Sequence, residues 1–255
     1  MSSHQAAPPR TSSHQAAPAR LLYALYAGIA FSAIALFALV LVLVLPGLER
    51  RRRVARATAR LFLRLAGMRL TVEGLEQLPP GQCVLVANHA SYLDGIVLTA
   101  SLPPRFGFVI KREMARVPLA APLLRRIGSE FVERFDRSKG ASDARRVVRT
   151  ALNGHSLVFF PEGTFSRQPG LNKFHAGAFI AALRAGCPVV PAVIHGTRTA
   201  LPPGSHLPAP AEIRVELLPA LPSADPDALG APAHLAARAR AAILEHLQEP
   251  DLAAA

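Results

Sequence analysis

"VLVANHASYLDG", residues 84–95, runs four apolar residues directly into Asn88-His89 and places a carboxylate five residues after the histidine. A short continuous apolar run bounded by a polar turn suits a strand buried on both faces, the kind found in parallel sheets. The polar residues then fall just past the carboxyl end of that strand, where sheets of this type collect their chemistry. Two readings of the turn stand side by side. Ser91-x-x-Asp94 has the form of a capping box, which starts a helix and requires no catalysis. Alternatively, Asp94 accepts a hydrogen bond from one imidazole nitrogen of His89, fixing the tautomer and leaving the other nitrogen free to take a proton.

Outward from this turn the pattern repeats. Apolar, β-rich runs recur at 83–87, 106–110, 156–160, 188–194 and 212–217, with helical patterns at 91–101, 114–127, 138–152 and 175–185. This alternation predicts an α/β domain over residues 70–255, a mostly parallel sheet flanked by helices. "SLVFFPEGTFSR" (156–167) is a second apolar run entering a polar turn, in which Pro161 and Gly163 bracket Glu162. Lys111 and Arg112 follow the 106–110 run, and "GSEFVER" (128–134) ends on Arg134. Cations gathered at the carboxyl ends of several strands form a phosphate site, with arginine giving bidentate contacts. Taken singly each also reads as solvated surface charge, the preferred reading for Arg112. His155, His175 and His195 read as structural or surface residues.

G-x-S-x-G is absent, so a base without a protein nucleophile points to activation of a substrate hydroxyl or of water. H-E-x-x-H spacing is absent as well, and no catalytic metal is expected. Cys83 and Cys187 lie in no C-x-x-C pair and read as reduced, buried thiols.

The rest of the chain points to a lipid surface. Of 255 residues 51% are hydrophobic, and 29 Lys+Arg against 17 Asp+Glu leave a net charge of +12. That surplus calls for an anionic partner. With 6% aromatics and no Trp, a base-stacking nucleic-acid surface is disfavoured. Residues 1–20 hold Ser-Ser-His-Gln-Ala-Ala-Pro twice, at 2–8 and 12–18, and read as a disordered tail. Residues 21–45 carry no charge; as a helix they reach about 37 Å, enough to cross a ~30 Å hydrocarbon core. Six arginines between 50 and 60, against Arg10 and Arg20 before the span, place everything after residue 46 in the cytoplasm. Residues 46–69 then read as a basic amphipathic helix on an anionic membrane surface, with stripes of Arg53, Arg56, Arg60, Arg64 and of Val54, Leu61, Leu65, Met68. A hairpin dipping into one leaflet fits these two segments as well as a full crossing. From about 222 the chain is Ala/Pro-rich, with one helix predicted at 234–248 and no chemistry assigned.

Four blocks in order, "NHASYLD", "GSEFVER", "FPEGTFS" and "VVPAVI" (189–194), resemble those of membrane-associated glycerolipid acyltransferases of the 1-acylglycerol-3-phosphate acyltransferase type. The resemblance covers about residues 70–220, and "KREMARVPLAAPLLRRIG" (111–128) is similar to the connector between the first two blocks. It implies transfer of a fatty acyl group from a thioester, acyl-CoA or acyl carrier protein, to a lysolipid hydroxyl, with no further cofactor. The first-choice acceptor is 1-acylglycerol-3-phosphate, giving phosphatidic acid. It further implies His89 as general base and Asp94 as its orienting partner, with direct attack and no acyl-enzyme. Lys111, Arg134, Glu162, Gly163 and Thr164 would contact the acceptor's polar head, and Pro191 would be structural or acyl-facing. The implied setting is the cytoplasmic face of the inner membrane, and a basic surface suits coenzyme A phosphates or an acidic carrier. One departure stands out: the third block usually reads F-P-E-G-T-R-S, and here Phe165 replaces its arginine, with Arg167 two residues on as a substitute cation. An acceptor with another head group, such as an amino-acid lipid, therefore competes. A thioesterase, using the same base on water, and a non-enzymatic membrane-surface module are further rivals.

Overall fold

The computed structural model describes residues 16–133, 137–223 and 232–253. Among them seven strands form one sheet: β1 (Arg69–Glu73), β2 (Val84–Ala87), β3 (Phe106–Lys111), β4 (Glu130–Val132), β5 (Ser156–Phe159), β6 (Val189–His195) and β7 (Glu212–Leu217). Their order is β1-β7-β6-β2-β5-β3-β4, parallel throughout except between β6 and β7. β2 lies at the centre, Val84 pairing with Leu157 on one side and Val189 on the other. All four of its residues are buried, as are those of β5; a strand covered on both faces has no polar side to show, which explains its continuous apolar run. The two strands beyond the five expected are the edges. β1 alternates exposed and half-buried residues and β4 is only three residues long, so neither carries an apolar signature.

Helices α3 (Asp94–Ser101), α4 (Ala120–Arg126), α5 (Arg137–Leu152), α6 (Gly177–Ala185), α7 (Thr197–Ala200) and α8 (Pro232–Leu247) surround the sheet, preceded by α1 (Ala16–Val44) and α2 (Leu48–Leu65). One core packs Phe62, Leu63, Val97 and Leu98 onto Leu85, Val190 and Ile213. The other packs Val147, Phe179, Leu235 and Ile243 onto Val84, Val86 and Leu157. Each such fully buried side chain contributes about 1.5–3 kcal/mol, and together they fix β2 between two helical layers.

The helix expected at 114–127 is broken in two. Pro118 pushes Val117 into an extended conformation (ψ 115°), so a 3-10 turn at Arg112–Arg116 ends there and α4 starts afresh at Ala120. α2 stops at Leu65 rather than 69 because Gly67 turns left-handed (φ 62°). Its N–H bonds Arg64 O, and the Met68 N–H bonds Leu63 O, closing the last turn as a Schellman motif.

α1 and α2 form an antiparallel hairpin lying along the domain. Tyr23 Oη donates to Ala66 O (2.6 Å), Phe31 meets Phe62 edge-on at 5.2 Å, and Val42 packs with Ala55 and Ile127. Among the described residues one helical stretch, Pro18–Val44, is long and apolar enough to cross a membrane, with mean hydropathy 2.8. Leu22, Leu25, Ile29, Phe37, Val40 and Val44 stay exposed on its outer side. The stripes expected on α2 divide between protein and surroundings. Arg56 and Arg60 donate to Ala100 O and Ser101 O, orphan carbonyls at the end of α3. Arg52, itself buried, donates to Ile127 O and Arg105 O. Arg53 and Arg64 remain exposed; Met68 is buried, while Leu61 and Leu65 are exposed.

Candidate active site

The central strand delivers His89 to the carboxyl edge of the sheet, and Asp94 opens α3 five residues later. Asp94 is fully buried. Its Oδ2 lies 2.7 Å from His89 Nδ1 and accepts the N–H groups of Ala90 (2.7 Å) and Ser91 (2.9 Å). One carboxylate oxygen thus serves both readings of the turn: it accepts the Ser91 N–H, half of a capping box, and it faces the imidazole. The other half of the box is not made. Ser91 Oγ instead accepts the Leu93 N–H (3.2 Å) and donates to Leu201 O (2.8 Å). A carboxylate can only accept, so this contact suits the tautomer with its proton on Nδ1 and a free lone pair on Nε2. Asn88 completes the platform. Its amide exchanges two hydrogen bonds with the main chain of Ile194, joining the end of β2 to β6 just past their last ladder pair.

Glu162 sits behind the histidine, only 5% exposed. Its Oε1 accepts the His89 N–H (2.7 Å) and its Oε2 accepts the N–H and side-chain amide of Asn172 (2.9 and 3.0 Å). Burial pushes this carboxyl above the usual range, while those hydrogen bonds and His89 pull it back in part. Both oxygens are therefore engaged within the protein, and the residue implied as a head-group contact organises the site from behind. Gly163 (φ 81°) makes the turn, its N–H bonding Phe160 O. Thr164 Oγ1 accepts from Lys111 Nζ (3.2 Å), tying the end of β3 to the same loop. Arg167 is exposed and lies over Gly204, where an added Cβ would come within 2.7 Å of its Nη2. Arg134 lies outside the described residues. Pro191 is buried within β6 opposite Val86. Arg112, expected as solvated charge, binds both oxygens of Asp143 (2.7 and 2.6 Å).

Sequence reading missed the aromatic surround of the imidazole. Phe160 stacks on His89 (4.2 Å, 18°) and Phe165 meets it edge-on (4.6 Å, 83°). Tyr92 in turn stands edge-on to Phe165 at 4.8 Å. The two phenylalanines cover two sides of the ring, which sets the imidazole in a partly dry wall. Their presence in "FFPEGTF" was the available signal, but its meaning depends on the turn that folds that segment back over residue 89.

With this geometry in place, comparison with known proteins defines the class. Residues 69–195, from β1 to the end of β6, match the family model described as Acyltransferase, and this part of the chain is an acyltransferase-family domain. More particularly, the chain is 35% identical over 137 residues to the chloroplastic 1-acyl-sn-glycerol-3-phosphate acyltransferase BAT2 of Brassica napus, covering 53% of this chain and 40% of that one. It is 27% identical over 143 residues to the 1-acyl-sn-glycerol-3-phosphate acyltransferase of Borreliella burgdorferi, covering 56% and 57%. The chain thus spans about half the length, or less, of these relatives. The crystal structure of PlsC, the 1-acyl-sn-glycerophosphate (LPA) acyltransferase of Thermotoga maritima, shares the fold. Its TM-score is 0.76 at 20% identity, over 89% of this chain and 94% of that one.

Proposed function

We propose that this chain transfers a fatty acyl group from an acyl thioester to the free hydroxyl of 1-acylglycerol-3-phosphate, giving phosphatidic acid. The observation that carries the proposal is the 2.7 Å contact between His89 Nδ1 and a fully buried Asp94 carboxylate, with no nucleophile motif in the chain. His89 Nε2 takes the hydroxyl proton as the oxygen attacks the thioester carbonyl. The tetrahedral intermediate then expels the thiolate, which recovers that proton from the imidazolium. Asp94 holds the ring and stabilises its charged form; general-base help of this kind contributes about 10²–10⁴-fold. Lys111, Arg134 and Arg167 attract the acceptor phosphate, and Glu162, Gly163 and Thr164 shape the loop beside it. The acyl donor is coenzyme A or an acidic carrier protein, both suited to a chain of net charge +12. No metal or prosthetic group enters this mechanism.

The outer side of α1 enters lipid and Arg53 and Arg64 of α2 face anionic head groups, on the cytoplasmic face of the inner membrane. Since α1 runs alongside α2 and the domain over most of its length, the hairpin lies in one leaflet. A second acceptor class is favoured by Phe165, which presents an apolar edge to the base in place of a cation: a lysolipid whose head group is not a phosphate monoester.

The test uses purified protein in detergent with labelled acyl thioester, a panel of lysolipids and the His89→Ala variant. Acceptor-dependent phosphatidic acid, lost in the variant, is the expected result, and a different diacyl product would identify the other acceptor class. Free fatty acid independent of acceptor indicates a thioesterase. Turnover unchanged in His89→Ala removes the proposal.

A further inference from the structure

The C-terminal stretch that sequence reading left without chemistry returns to the active-site loop. α8 ends at Leu247, Gln248 turns through a left-handed backbone (φ 58°), and residues 249–252 run back beside Gly170–Asn172. The Leu171 N–H donates to Pro250 O (2.9 Å) and the Leu252 N–H to Leu171 O (3.1 Å). The Gly170 N–H donates to Glu249 Oε2 (2.6 Å). From α8, Arg240 Nε donates to Asn172 O (3.0 Å) and Nη2 to Leu171 O (2.8 Å), while the same guanidinium forks onto both oxygens of Asp251. Glu249 also pairs with Arg198 (3.5 Å), whose Nη1 donates to Ser166 O (2.8 Å). The loop is therefore gripped at Ser166 and again at 170–172. Contact is close enough to demand glycine at 170, where an added Cβ would stand 2.5 Å from Leu252 Cγ and 2.8 Å from Pro250 O, at φ 136°.

The residues of the loop that meet the site lie at these grips: Phe165 directly precedes the first, and Asn172 belongs to the second. Asn172 fixes one oxygen of Glu162, whose other oxygen holds the His89 N–H. Phe165 rests on the imidazole itself. We propose that Arg240, Glu249 and Asp251 are positioning residues, and that segment 248–252 is a strap that seats loop 162–172 against His89 and keeps water from the base. This rests on His89 acting as base in the proposed transfer, and the strap lies outside residues 69–195 that match the family model. When the strap is loosened, water competes with the acceptor hydroxyl. Its oxygen attacks the thioester carbonyl, its proton passes through His89 to the thiolate, and the products are free fatty acid and thiol.

Two variants test this: a chain ending at Leu247, and the full-length Arg240→Gln. Both keep Leu235, Ala239, Ile243 and Leu247 of α8 buried in the core, so melting within a few degrees of wild type is expected. Amide exchange at Gly170–Asn172 should quicken about tenfold or more. The ratio of free fatty acid to diacyl lipid should rise roughly fivefold or more, with kcat falling and KM changing little. Wild-type exchange at 170–172 together with a wild-type product ratio overturns the strap. So does an activity loss that merely follows a lowered melting point with the product ratio unchanged. A wild-type chain with no transferase activity overturns the proposed function instead, and exchange at 170–172 then decides on its own whether the strap holds the loop.

Discussion

Three donors converge on a single oxygen of Asp94 while its Oδ1 is buried without a partner among the described residues. Asp94→Asn separates charge from geometry. An asparagine oxygen in the Oδ2 position still accepts the Ala90 and Ser91 N–H groups and the Nδ1 proton, so the tautomer is kept. The amide NH₂ then falls where Oδ1 stood, a buried donor without an acceptor, at a cost of about 1–3 kcal/mol. The negative charge that stabilises the imidazolium is lost as well. The expected result is a kcat lowered roughly 10- to 1,000-fold, short of the roughly 10²–10⁴-fold loss for His89→Ala, with KM within a few-fold of wild type. Steady-state kinetics beside a thermal melt check it, and a wild-type kcat in Asp94→Asn would show that the carboxylate charge plays no part. Glu162 acts differently. Both of its oxygens hold the protein and burial disfavours its charged form, so its variants should disturb the loop and not the proton transfer itself.

At the scale of elements, Asp143 shows how a charge joins parts of the fold that sequence pattern treats separately. It receives Arg112 from the end of β3, the Glu133 N–H just after β4, and Arg146 from its own helix α5. Burial works against its ionisation, but Arg112, the Glu133 N–H and Arg146 together hold its carboxyl below the usual range. A carboxylate with a depressed folded value contributes stability above the unfolded value of about 4 and loses it as pH falls through the folded one. Asp143→Asn should therefore be less stable at pH 7 by about 1–3 kcal/mol. The gap should narrow as pH is lowered from about 5, above the unfolded value, to about 3, below it. Urea unfolding at both ends of that range measures it, and a gap independent of pH would contradict it. The same scale explains what could be read in advance. β2, β5 and β6 announce themselves because both faces are buried, whereas β1 and β4, at the edges, depend on partners the local sequence does not name. His89 and Asp94 lie five residues apart and were legible as a pair. The Asn172 clamp on Glu162, ten residues on, and the Arg240 clamp on Asn172, 68 residues on, needed the folded chain.

For the whole molecule the open physical question is how α1 meets lipid. A perpendicular crossing would carry residues 16–20 to the far side of the membrane, away from the domain. In the structure Tyr23 and Tyr26 bond Ala66 O and Leu65 O, and Val42 packs against Ala55, so such a crossing requires α1 to separate from α2. In the proposed arrangement the exposed apolar side of α1 lies along one leaflet, with attachment coming from buried side chains at about 1.5–3 kcal/mol each and from arginines near anionic head groups. An Ala19→Cys variant bound to sealed vesicles from outside distinguishes the two arrangements. Ala19 is exposed near the start of α1, while Cys83 and Cys187 are buried and react poorly, the Cys83 thiol being pushed up to about 11 by burial. A membrane-impermeant thiol reagent should label position 19 in intact vesicles, and protection until the vesicles are lysed would establish the crossing. Salt should weaken vesicle binding without abolishing it, since screening acts on the arginines and leaves the apolar contribution. Adding Leu25→Glu and Phe37→Glu, which reverse the outer side of α1 while leaving Phe31–Phe62 in place, should remove about 3–6 kcal/mol of attachment and release the protein. Retained binding in that double variant would mean that a different surface of the domain meets the membrane.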